Sequence, residues 1–111
     1  MVRPHDITDL YLAPVVLAID AELERLRGKS YDDILMYIAL STNREPRSRA
    51  EKRQYFIEAV TKFIDLHGWV VTCHPRGLRL SHDDHQIVLG LPPAVYAYLE
   101  LSDQEGPADL G

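Results

Sequence analysis

Residues 48–81 read SRAEKRQYFIEAVTKFIDLHGWVVTCHPRGLRLS, and within them the apolar period changes from helical to two. Ser48-Arg49-Ala50-Glu51 is an S-x-x-E capping box, in which the serine and the glutamate each satisfy a free backbone N–H at a helix start. Phe56, Ile57, Val60, Phe63 and Ile64 then form a broad apolar stripe, and Gly68 after His67 has the form of a C-terminal cap. The pattern predicts a helix of about five turns as the spine of the core. From Trp69 the alternation is strict: Trp69, Val71 and Cys73 against Val70, Thr72 and His74, then Leu78 and Leu80 against Arg79 and Ser81. Between them His74-Pro75-Arg76-Gly77 puts proline and glycine at turn positions, which predicts a β-hairpin.

Upstream, Leu12, Val16, Ile19, Leu23 and Leu26 recur at spacings of four and three and end at Gly28, predicting a first helix over residues 14–27. Pro14 sets its regular start, with Thr8 to Ala13 as a preceding turn or kinked extension. Ser30 offers an N-cap, Asp32 and Asp33 favour the first turn, and Tyr31, Ile34, Leu35 and Ile38 give a second helix its apolar side. The polar run Ser41 to Arg47, broken by Pro46, stops it. The tight connection Gly28 to Ser30 predicts that these two helices form a packed corner. Downstream of the hairpin, Ile87, Leu89 and Leu91 read as a third strand, Pro92-Pro93 ends it, and Val95, Tyr96 and Leu99 suggest a short last helix. The fold class is therefore α+β: three helices, a three-stranded antiparallel β-meander and a short C-terminal helix. One globular domain spans residues 1–102, and residues 103–111 form an acidic flexible tail.

The length of 111 residues suits one core and is too short for two. A single cysteine, Cys73, excludes an intramolecular disulfide, and the start MVRPHDITDLY has no signal-peptide run, so a cytoplasmic location is expected. The stretch Leu12 to Ile19 is far short of the roughly twenty apolar residues that span a bilayer, so no membrane association is expected. The net charge of −5 is unevenly spread: residues 44–81 hold eight basic and four acidic side chains, the rest four basic and thirteen acidic. Such polarity creates a local positive field on an acidic molecule.

Three helices followed by a hairpin resembles the winged-helix architecture. There the third helix enters the major groove and the hairpin touches the adjacent backbone. The resemblance lies in the order of elements and has no sequence signature. It implies double-stranded DNA as partner and a nucleic-acid-binding set of Arg47, Arg49, Lys52 and Arg53 at the start of the third helix, with Arg76 and Arg79 on the hairpin. Two features depart from it: the connection Leu40 to Ser48 is longer than a helix-turn-helix turn, and the isoelectric point of about 5.4 is acidic for a DNA-binding domain.

Other chemistry finds less support. Cys73, His74, His82 and His85, with Asp83 and Asp84, are metal-ligand types but match no ligand spacing, so neither metal nor cofactor is expected. No G-x-S-x-G, P-loop or G-x-G-x-x-G is present, and one cysteine with scattered histidines does not indicate a nucleophile, so an enzyme is not expected. Tyr37, Tyr55, Tyr96 and Tyr98 add polar-tipped surface of the kind enriched at interfaces. The expectation is a small regulatory binding module, acting on DNA in transcription or, alternatively, as a protein-interaction or adaptor domain whose partner is another protein or a second copy of itself. A joint basic face of Arg47 to Arg53 with Arg76 and Arg79 favours the first; an exposed apolar patch around Tyr96 and Leu99 favours the second.

Overall fold

Ser30 starts a helix as its composition demands. Its hydroxyl accepts from the Asp33 N–H at 3.2 Å while the Asp33 carboxylate accepts from the Ser30 N–H at 3.1 Å, a reciprocal cap. The computed structural model describes residues 4–101 of the chain. Their elements run α1 (Pro4–Glu24), α2 (Tyr31–Thr42), α3 (Arg49–Thr61), β1 (Val70–His74), β2 (Gly77–His82), β3 (His85–Leu89) and α4 (Pro93–Leu99). This is an α+β arrangement in which the strands form one antiparallel meander of order β1-β2-β3. The acidic tail expected over 103–111 lies outside the described residues. Among those residues no helix is long and apolar enough to cross a membrane.

The register pairs Thr72 with Arg79 and Arg79 with Val88, and one row inward Val71 with Leu80 and Leu80 with Ile87. Alternation therefore sends Val71, Cys73, Leu78, Leu80, Ile87 and Leu89 to one face and Val70, Thr72, Arg79 and Val88 to the other. The first face joins Ile19, Leu23, Ile34, Ile38, Phe56, Val60, Val95, Tyr98 and Leu99 in the core. α3 packs against α1, α2, α4 and β1, as its place in the sequence predicts for a spine. Tyr37 ties three helices together, donating from its hydroxyl to Glu22 Oε2 at 2.7 Å with the Ala59 carbonyl at 3.4 Å. Burial, then the bond to Glu22, holds this phenol protonated well above its ordinary range.

Three boundaries depart most from the sequence expectation. The first helix begins at Pro4, so Pro14 sits inside it; only one ladder bond is lost there, and the apolar stripe continues past it through Val15, Ile19, Leu23 and Leu26. The third helix ends at Thr61, short of His67. Thr61 Oγ1 donates to the Ile57 carbonyl at 2.6 Å, Asp65 Oδ1 accepts from the His67 N–H at 3.1 Å, and these local bonds compete with helical continuation. Gly68 is left-handed, at φ 82°, but closes a turn in which Trp69 N–H donates to Leu66, not the helix itself. Phe63, expected in the core, is consequently off the helix face and 90% exposed. The third strand ends at Leu89, which leaves Leu91 buried beyond it because Pro92 and Pro93 cannot extend a ladder.

Gly77 is the position where the sheet admits only glycine. Its φ of 151° is open to glycine alone among ordinary residues, and a β-carbon there would lie 1.9 Å from the Leu89 carbonyl oxygen. Gly77→Ala is expected to lower stability by more than ~3 kcal/mol in urea unfolding. In the same assay Phe56→Ala should cost about 3–5 kcal/mol, whereas Phe63→Ala should cost less than about 0.5 kcal/mol; equal losses would show that Phe63 is packed.

Candidate functional site

The basic residues proposed from sequence divide into three settings. At the start of α3, Ser48 Oγ accepts from the Glu51 N–H at 3.1 Å, while Glu51 Oε1 accepts from the Arg47 N–H at 2.8 Å. The glutamate arm of the capping box thus serves a donor one residue earlier than the motif implies. Arg47 and Arg49 are exposed beside this cap.

Lys52 and Arg53 turn the other way, toward α4. The Arg53 guanidinium donates from Nε to the Leu99 carbonyl at 3.0 Å and from Nη2 to the Glu100 carbonyl at 2.8 Å, so a cation closes the negative end of α4. Glu100 itself is left-handed at φ 57° and ends the helix. Lys52 Nζ reaches Glu100 Oε2 at 3.3 Å and stands 5.3 Å and 5.4 Å from the ring centres of Tyr31 and Tyr98. A hydrogen bond to Tyr31, and secondarily the Glu100 carboxylate, raises the Lys52 pKa and keeps it charged. Both side chains are half-buried. Beside them the Tyr98 hydroxyl is buried without a hydrogen-bond partner among the described residues, and burial pushes its pKa up to about 12.

The hairpin holds the third set. Arg76 is exposed at the tip, where Tyr96 donates its hydroxyl to the Arg76 carbonyl and accepts from the Leu91 N–H at 3.2 Å. Arg79 lies on the outer sheet face, away from the helices, with Nε 3.3 Å from Thr72 Oγ1. The fold therefore does not gather the six residues into one array. The outward side of α3 carries Glu51, Gln54 and Glu58, and the Arg44 guanidinium pairs with Glu58 while lying 4.2 Å over the Tyr55 ring. Nor is there an apolar patch at Tyr96 and Leu99: Leu99 is fully buried and Tyr96 is half-buried as a clasp.

The possible metal ligands are also apart. Cys73 and His74 pair near the Pro75-Arg76 turn, His82 and His85 flank the Asp83-Asp84 turn at the opposite end, and no group of three ligand types forms among the described residues. Burial pushes the Cys73 thiol up to about 11, so it stays protonated at neutral pH and is a poor nucleophile.

An apolar surface appears where the sequence analysis placed none. On α2, Ile34 and Ile38 face the core, and Met36 and Leu40, offset by two positions from each, point outward at 59% and 76% exposure. Two shallow grooves meet at Leu40. One is bounded by Leu26, Lys29, Asp33 and Met36, and the other by Asn43, Arg44, Glu58 and Lys62. Phe63 adjoins this end, since Lys62 Nζ lies 5.3 Å over its ring and 2.8 Å from the Ser41 carbonyl. The signal was present in the sequence: Met36 and Leu40 are one turn apart and fall off the stripe of Ile34, Leu35 and Ile38.

Set against protein-family models, curated proteins and solved structures, the chain matches none.

Replacing Arg53 by methionine keeps its length and removes the charged donor from two carbonyls. The loss is expected to be about 1–3 kcal/mol in thermal or urea unfolding, against less than about 0.5 kcal/mol for Arg47→Met. A neutral Arg53→Met would show that α4 is held by its apolar residues alone.

Proposed function

We propose that this domain is a non-enzymatic protein-interaction module whose docking surface is the outward face of α2, with Met36 and Leu40 at its centre and Phe63 at its edge. The observation that carries the reading is the joint exposure of these three large apolar side chains on and beside a helix whose other side is fixed in the core. Exposed apolar residues that cluster on a rigid element, rimmed by charge, are what a partner can bury. The protonated Cys73 thiol and the separation of the histidines support a binding role over a catalytic one. A lone thiol suits the reducing cytoplasm, where we place the protein.

DNA binding is the second reading, and Arg47, Arg49 and Arg76, exposed at a helix N-terminus and a hairpin tip, favour it. Against it, Lys52 and Arg53 are engaged with α4, and a ridge with two carboxylates on α3 would face the phosphates.

A photo-crosslinking residue placed at Leu40 in the expressing cell is expected to yield discrete protein adducts, and the same residue at Gln54 on α3 is not. Absence of adducts at position 40 would end the interaction reading. Retention of random duplex by the purified protein at low salt, lost in an Arg47→Glu, Arg49→Glu variant, would put DNA binding in its place.

A further inference from the structure

We infer that the acidic segment from Ser102 to Asp109 docks in cis on the start of α3, with Asp103 against Arg49, and so withholds Arg47 and Arg49 from outside anions. It concerns a different surface from the outer face of α2 and does not rest on the interaction reading above. The chain passes beyond the described residues right beside α3. Arg53 donates to the Leu99 and Glu100 carbonyls at 3.0 Å and 2.8 Å, Lys52 Nζ meets the Glu100 carboxylate at 3.3 Å, and Leu101 is buried with its N–H on the Tyr96 carbonyl at 3.0 Å. The exit is thus fixed against the first turns of the helix. Arg49 lies one turn before Arg53 on the same side of α3, about 6 Å along its axis. Three residues span up to about 10 Å, so Asp103 can reach Arg49 from the anchored Glu100. On an extended run Asp103 and Glu105 fall in phase with Leu101, whose side chain is buried, and Ser102 and Gln104 fall in the opposite phase.

The segment carries Asp103, Glu105 and Asp109 and no basic residue. Its match to α3 is local and not regional. Over the whole start of the helix Arg44, Arg47, Arg49, Lys52 and Arg53 exceed Glu45, Glu51, Glu58 and Glu100 by only one. Three of those carboxylates are committed elsewhere, however: Glu51 to the Arg47 N–H, Glu58 to Arg44 and Glu100 to Lys52. Glu45 precedes Pro46 on the connection from α2, and Glu51 stands two positions, about 200°, round the helix from Arg49. The side that Arg49 and Arg53 share continues into the buried Phe56 and Val60, so it presents two guanidiniums and then core toward the end of α4. An anion tethered this close acts at a roughly millimolar effective concentration, which any free polyanion must outcompete.

A nitroxide attached to a Gln104→Cys, Cys73→Ser chain is expected to broaden the amide resonances of residues 47–50 and to leave those of residues 36–40 sharp. The broadening should largely disappear in Arg49→Gln and in Asp103→Asn. Heparin is the probe for the withheld surface. Asp103→Asn, Glu105→Gln is expected to bind it about tenfold more tightly than wild type, as removal of a cover that is in place roughly nine-tenths of the time does. In an Arg47→Gln, Arg49→Gln background the same two tail substitutions should gain less than about twofold, because the surface they uncover has lost its cations. Broadening that Arg49→Gln leaves unchanged, heparin affinity indifferent to the tail carboxylates, or an equal gain in both backgrounds, which is the mark of net charge alone, would each overturn the proposal. All of these variants keep Met36 and Leu40, so crosslinking at position 40 tests the interaction reading separately.

Discussion

A sheet of three strands can hide its apolar face only beneath other elements, and in this domain α3 packs against β1 while α4 packs against α2 and α3 to close the shared core. Leu78 and Leu80, on the central strand, are wholly buried, and so are Phe56, Val95 and Leu99 from the helices that join them in the core. The short α4 has only seven residues, too few to be stable alone, so its place depends on tertiary contacts. Arg53 closes its C-terminal carbonyls and Tyr96 ties its first turns to the hairpin tip. Two polar clasps thus hold the element that completes the core, and one uses a cation from the run that sequence reading marks for nucleic acid.

That dual use explains what was legible. Element order, the helix start at Ser48, the hairpin turn at Pro75-Arg76 and the apolar faces of α1, α2 and the sheet follow from period and capping, which are local. The end of α3 did not follow, because Phe63 and Ile64 continue the helical spacing while Thr61 and Asp65 redirect the backbone by side-chain bonds that period counting ignores. For the site, a list of cations carries no information on where each points. Arg53 and Arg47 have the same charge and nearly the same address, yet one caps a helix and the other faces solvent. Met36 and Leu40 were readable in principle, since a helix with one buried stripe must expose whatever lies opposite.

The outer face of α2 also sets a condition on the sequence around it. An apolar pair on a surface promotes unspecific association unless its rim discriminates, and both signs of charge are present within a turn or so of Met36 and Leu40. In the proposed docking surface the rim would select orientation and the apolar centre would supply affinity.

The meander has a kinetic consequence. Each strand pairs with its chain neighbour across a two-residue turn, so the sheet closes through the shortest loops the chain offers. The Arg53 clasp joins residues 46 positions apart, and the entropy of closing a loop grows with its length. Sheet pairing is thus the cheap step of folding and docking of α4 the dear one, which makes the C-terminal helix the last element to arrive and the first to leave. A chain emerging from synthesis would have the shared core incomplete until residues 93–99 are available, and that interval is when the domain most resembles an aggregation-prone intermediate.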